Sequence, residues 1–158
     1  MTRPPPLALA YSLAEKLEGL DWAIGGSTLL HRLGLEASPH DLDIVTTVDC
    51  FHELDERLFA FLGPGTRPAH ASYHSRYFNQ YPARDGAVAE VMAGIQVIHK
   101  GCLVAWSFSV ERIEYHDGLP WMQAPDWLDL YTLFDRPVRV RQIKAYLASA
   151  RNNPVEPI

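Results

Sequence analysis

The stretch from Trp22 to Ile44, WAIGGSTLLHRLGLEASPHDLDI, restricts the fold more than any other part of the chain. It reads as a strand (Trp22 to Ile24), a glycine turn with a hydroxyl (Gly25, Gly26, Ser27), a helix from Thr28 to about Leu33, a short loop, and a second strand opening at Asp41-Leu42-Asp43-Ile44. Two glycines let a backbone come close to a ligand. The free N–H groups at the start of the following helix make an anion site, which the Ser27 hydroxyl would reinforce. That suits a polyphosphate. Side chains alternate along a strand, so Asp41 and Asp43 leave from one face while Leu42 and Ile44 leave from the other into a core. Two carboxylates so placed repel unless a cation lies between them. Oxygen ligands on a divalent ion that also holds substrate phosphates are the usual arrangement for magnesium.

A third acid has a similar setting. Within Ala87 to Ile95, AVAEVMAGI, Glu90 is the only charged residue. Arg76 to Tyr81 and Ala87 to Met92 read as two strands of a hairpin joined through Arg84-Asp85-Gly86, with Val88, Glu90 and Met92 on one face. Beside the Asp41 strand, this hairpin would let Glu90 complete an acidic cluster. The plainer alternative is a structural ion pair between Glu90 and Arg76 or Arg84. Lone acids in apolar strands are seldom tolerated without a partner or a metal.

Strand, Gly-Gly-Ser, helix, Asp-x-Asp and a later isolated acid, in that order, resemble the signature of the nucleotidyltransferase superfamily typified by DNA polymerase beta. Its smaller members include minimal nucleotidyltransferases, lincosamide and aminoglycoside adenylyltransferases and nucleotidyltransferase-like toxins. The resemblance implies an α/β fold, a mixed β-sheet flanked by helices with two C-terminal helices, as a single domain over residues 1–158. It also implies transfer of a nucleoside monophosphate from a nucleoside triphosphate, ATP being the expected donor, to an acceptor hydroxyl. On that resemblance two magnesium ions are expected: Asp41 and Asp43 would hold the triphosphate-bound ion, and Asp41, Asp43 and Glu90 the second. Glu90 is also a candidate for taking the proton of the attacking hydroxyl. Gly25, Gly26 and Ser27 would hold the triphosphate, and His40 would touch a phosphate or simply line the loop. The acceptor is a small hydroxyl compound, a protein or an RNA end.

The resemblance weakens in the last third. Many relatives carry a lysine in the first of the two final helices and a Lys-Asp pair after Arg-Pro, where this chain has Tyr131-Thr132 and Val138-Arg139. The basic run Arg136, Arg139, Arg141 and Lys144 is either a solvated helix face or a phosphate or acceptor contact. Two other classes stay open: a toxin, antitoxin or regulatory module acting through a helical partner or as a homodimer, and a structural protein whose acids form surface pairs.

The rest of the chain is read as scaffold. Leu9, Leu13, Leu17 and Leu20 predict a first helix after an extended arm over residues 1–6. Asp49 is the expected cap of a helix burying Phe51, Leu54, Leu58 and Phe61, which Gly63-Pro64-Gly65 ends. Thr66 to Ser75 reads as a loop over the site. His70 and His74 there would form a zinc pair only on a helix, and no helical period is present. Extended segments are expected at Leu103 to Val110 and Ile113 to Tyr115, and Trp127, Leu130, Tyr131 and Phe134 form a core stripe on a helix led by Pro125. A final helix carries Ile143 and Leu147, and residues 152–158 form a tail. The 158 residues, 47% hydrophobic, suffice for one core, and the net charge of −5 gives no basic field for bulk nucleic-acid binding. Cys50 and Cys102, far apart and without CxxC spacing, suit free thiols in a reducing cytoplasm. No apolar run approaches the roughly 18 residues of a membrane span.

Overall fold

The structure is a computed structural model that describes residues 3–70 and 72–152. Pro5 and Pro6 open the first helix, α1 (Pro5–Lys16), and Leu9, Leu13 and the flanking Leu17 make its fully buried side. Proline fits a first helical turn because the N–H it lacks would have no partner there. The extended arm expected over residues 1–6 is therefore shorter, with Pro6 already buried. Met1 and Thr2, and the expected tail beyond Asn152, lie outside the described residues.

In chain order there follow β1 (Trp22–Gly25), α2 (Gly26–Arg32), β2 (Leu42–Thr46), α3 (Val48–Leu62), β3 (Tyr77–Gln80), β4 (Ala89–Ala93), β5 (Ile95–His99), β6 (Cys102–Trp106), β7 (Glu114–His116), β8 (Leu119–Trp121), α4 (Ala124–Leu133) and α5 (Pro137–Asn152). Six strands form a mixed sheet in the order β3-β4-β2-β1-β8-β7, and β5 and β6 pair separately. β2 runs antiparallel to β1 and parallel to β4, which in turn pairs with β3 as an antiparallel hairpin. α3 supplies the crossover that a parallel pair requires. The mixed α/β fold with two C-terminal helices agrees with the sequence reading. A continuous apolar core runs through it, with Leu42 and Ile44 of β2 packed among Leu9, Leu13, Leu54 and Leu58. α1 packs on β2 and β8 and touches α3, while α4 and α5 pack against each other.

Tight turns set the register of the hairpins. Asp85-Gly86, Lys100-Gly101 and Asp117-Gly118 each have positive φ at both residues, the conformation of the tight turns that match strand twist. The last of these joins β7 to β8, a strand that the sequence analysis does not assign and that holds Pro120, a residue confined in sheets to edges, strand starts or bulges. β8 is short, and it engages β1 only through Ile24 and Trp121, with the Met122 N–H donating to the Ile24 carbonyl at 2.9 Å. The strand expected from Leu103 to Val110 stops at Trp106, and Val110–Arg112 form a turn of 3-10 helix instead. Cys50 and Cys102 are both free thiols. No helix among the described residues is long and apolar enough to cross a membrane.

The irregular segment before β3 is not helical, so His70 and His74 do not form an i, i+4 pair. His70 stacks on Tyr73 with ring centroids 3.9 Å apart. The segment runs along β5: the Ile98 and His74 N–H groups donate to the Ser72 and Gln96 carbonyls at 2.8 Å each. That pairing fixes Tyr73 over the middle of the fold.

α3 is capped by Thr47 rather than Asp49. Thr47 has extended backbone angles, and its side chain accepts from the Cys50 N–H at 3.0 Å, whereas Asp49 lies within the first turn. Asp49 there favours the positive end of the helix without satisfying an orphan N–H. Urea denaturation should therefore show Thr47→Ala losing about 1 kcal/mol of stability, and Asp49→Ala only a few tenths. The reverse ranking would restore Asp49 as the cap.

Candidate active site

Parallel pairing of β2 with β4 sets Asp43 opposite Glu90 and Leu42 opposite Ala89. The alternation of each strand does the rest. Ala89, Val91 and Ala93 are buried in the core while Glu90 leaves from the opposite face, as Asp43 does from β2. On the other side of β2, Gly25 stands opposite Asp43 across the antiparallel pair with β1. α2 starts immediately after it, and two hydroxyls tie that start to the acid strand. The His40 N–H donates to the Ser27 hydroxyl at 3.3 Å, and the Thr28 hydroxyl donates to the Asp41 carbonyl at 3.1 Å. Asp43, Ser27 and His40 line one cleft of about 140 Å³.

The two glycines have a different immediate use from the one their sequence suggests. A side-chain carbon on Gly25 would collide with the indole of Trp127, and one on Gly26 with the carboxylate of Asp43. Gly26 also has φ +59, a conformation that other residues adopt at a cost. The absent side chains thus make room for protein groups that build the cleft. α2 itself has only seven residues, so its dipole is a weaker anion anchor than the sequence pattern promises.

Electrostatics at the acids are dominated by burial and like charge. Burial first, then the neighbouring Glu90 and Asp41 carboxylates, push Asp43 well above the usual carboxylate range. Glu90 is raised by burial and by Asp41, and is partly relieved by the Gln80 side-chain amide, which donates to it at 3.0 Å. Close carboxylates raise one another because a second negative charge is costly beside the first. The structural alternative for Glu90 is not realised: Arg84 pairs with Asp85, and Arg76 lies over the Tyr77 ring. Among the described residues no Lys or Arg forms a salt bridge with Asp41, Asp43 or Glu90.

The far wall of the cleft comes from the C-terminal helices and from the segment along β5. Trp127, Tyr131 and Phe134, read from sequence as core, line the cleft together with Tyr73. They are both core and wall, because the stripe that packs α4 onto the sheet ends at the acids. The Tyr131 phenol is pushed up by burial and by the nearby Asp43 charge. The basic run divides. Arg136 and Arg139 line the cleft with Asp43, whereas Arg141 and Lys144 point elsewhere and are exposed. Arg139 is committed to Glu36 at 2.9 Å, which holds that carboxyl below its usual range. Arg136 forms no salt bridge among the described residues and lies 6.0 Å from the Tyr131 ring centroid. The Arg-Pro step was the available sequence signal for this cation.

Asp41, Asp43 and Glu90, none in a salt bridge with Lys or Arg among the described residues, are a set of oxygen donors of the kind that suits a hard divalent cation. Among the described residues, however, no three His, Cys, Asp or Glu side chains are gathered closely enough to make a finished metal-ligand group. A divalent cation would compensate the like charge that Asp41 and Glu90 place around Asp43.

This pair has a consequence for stability. A carboxyl whose folded pKa is raised favours the folded state less as pH rises, because the unfolded chain ionises first. For Asp43 and Glu90 the loss begins near their ordinary values of 3.8 and 4.5 and continues up to their raised folded values. Metal-free thermal melts should show Asp43→Asn close to wild type at pH 4 and equal or more stable at pH 8. A mutant that melts well below wild type at pH 8 would mean that Asp43 satisfies a cation in the fold.

No protein-family model matches the sequence, and no curated protein matches it significantly. Among solved structures, the chain is similar to the crystal structure of a Thermotoga maritima protein described as a "putative nucleotidyltransferase". The two share 20% sequence identity with a TM-score of 0.68, over 94% of this chain and 96% of the other. Nearly the whole chain therefore has the fold of that nucleotidyltransferase-like protein.

Proposed function

We propose that the chain is a metal-dependent nucleotidyltransferase that moves a nucleoside monophosphate from a nucleoside triphosphate, ATP in the first instance, to an acceptor hydroxyl. The observation that carries this reading is the β2–β4 register, which sets Asp43, in the cleft, against Glu90, neither of them in a salt bridge with Lys or Arg among the described residues. Likeness of fold to the Thermotoga maritima protein supports it. Asp41, Asp43 and Glu90 would hold two magnesium ions, which when bound neutralise the triphosphate and lower the pKa of an attacking hydroxyl. Ser27 offers a hydroxyl donor to a phosphate oxygen, and His40 lines the same wall. Arg136, which lines the cleft with Asp43, supplies positive charge where negative charge grows on the leaving pyrophosphate. Glu90, raised by burial and fixed by Gln80, accepts the proton of the acceptor hydroxyl. A cleft of about 140 Å³ takes phosphate groups and leaves the nucleoside at its mouth, since whole small-molecule sites run to roughly 300–1,000 Å³.

The partner-protein reading has less support. The large exposed apolar side chains Phe59, Leu103, Val110, Tyr115 and Val138 lie on five separate elements.

Magnesium with ATP should raise the melting temperature of the wild-type protein and leave that of Asp43→Asn unchanged, as expected for a ligand of the native state. Calorimetric titration should give a loss of about 1 kcal/mol for Ser27→Ala, one hydroxyl contact. Gly26→Val should be far worse, because its side chain drives the Asp43 carboxylate out of place. Incubation with labelled ATP, magnesium and cell lysate should label a discrete acceptor with the wild type only. No thermal shift and no labelled product would leave the fold without the activity.

A further inference from the structure

A second concavity, of about 500 Å³, adjoins the acid cleft and shares Tyr131 and Arg136 with it. It lies between the β5–β6 turn and the junction of α4 with α5. Lys100 comes from the turn, and Arg136 and Arg141 come from the junction and the first turns of α5. These three cations gather on a chain whose net charge is −5, so the concavity is positive against the general sign of the molecule. Among its described lining residues the single carboxylate is Asp135. Its side chain is 71% exposed and lies 3.4 Å from His99 Nδ1. Tyr131, Pro137 and Val140 supply apolar surface beneath the cations. Apolar surface with a few convergent charges is the usual make-up of a small-molecule site, and this volume lies within its ordinary range.

We propose that this concavity is the acceptor site, built for a small hydroxyl compound that carries an anionic group, a phosphate ester or a carboxylate. Lys100 and Arg141 hold the anion and Tyr131, Pro137 and Val140 hold the body. The shared wall of Tyr131 and Arg136 then lets the hydroxyl reach the acids. The proposal rests on the transferase reading for the word acceptor; the anion site itself stands on the lining residues. The separation of tasks is also one of space. The acid cleft has about 140 Å³, enough for phosphates and ions, and the room for an acceptor is next door.

The test uses the full-length, isotope-labelled protein without metal or nucleotide, titrated with glucose 6-phosphate, gluconate and glucose and followed by amide chemical shifts. Saturable shifts around Lys100 and residues 136–141 are expected with one or both anions, and which of them binds names the anion. Equal response to neutral glucose, or no saturable response to either anion, overturns the proposal. Lys100→Glu combined with Arg141→Glu should weaken anion binding at least about tenfold and leave the magnesium-ATP melting shift unchanged. Unaltered anion binding in that variant overturns it. Should the double variant fail to fold, Lys100→Gln and Arg141→Gln singly serve the same purpose, each expected to bind more weakly than wild type. Competition by ATP at these same amides would give the site to the donor and overturn the acceptor role. Anion binding that survives in a protein that labels no acceptor refutes the transferase reading. Labelling that proceeds unchanged in the double variant refutes the acceptor site alone.

Discussion

Two carboxyl groups face each other across a parallel strand pair, and much of this molecule is arranged around the cost of that meeting. Asp43 and Glu90 are each raised by burial and by neighbouring acids. Evolutionarily cheap remedies, such as an arginine beside either group, are missing among the described residues. The repulsion is eased by a hydrogen bond from Gln80 to Glu90 and by the charge of Arg136 on Asp43. Strongly perturbed carboxylates of this kind are the groups around which functional sites tend to be built.

Small residues and large ones are matched around those acids. Gly25 and Gly26 leave the space that the Trp127 indole and the Asp43 carboxylate occupy. The same α4 stripe that closes the core over the sheet thereby becomes the wall of the cleft. Packing and chemistry are consequently hard to separate here: a side chain added at either glycine changes both. Tyr73 reaches the cleft by a different route, through backbone pairing of its irregular segment with β5.

The positive groups are sorted by depth. Arg139 is neutralised by Glu36 and braces α5 against the loop after α2. Arg136 stands at the boundary between two cavities, and Lys100 and Arg141 belong to the outer one. One basic run in sequence therefore serves three distinct surroundings, because Arg136 lies before the start of α5 while Arg139 and Arg141, two apart within it, leave from different sides.

The sequence by itself determined the local parts: a strand ending in glycines, a short helix with a hydroxyl, and Asp-x-Asp with alternate residues turned to the core. It also determined that Glu90 needed a partner or a cation, because an isolated acid in an apolar run cannot be buried alone. Periodicity and turn chemistry act between near neighbours, so they are readable without coordinates. Only the tertiary structure decided that Glu90 meets Asp43 rather than Arg76 or Arg84, since a parallel register across a crossover is set by long-range packing. It decided that β8, with Pro120 inside it, joins β1, and that Thr47 rather than Asp49 caps α3. It decided, too, that the aromatic stripe of α4 lines a cleft and that Arg136 faces it. Each of these depends on which surfaces of distant segments fit together, and that information is distributed over the whole chain rather than held in any one stretch of it.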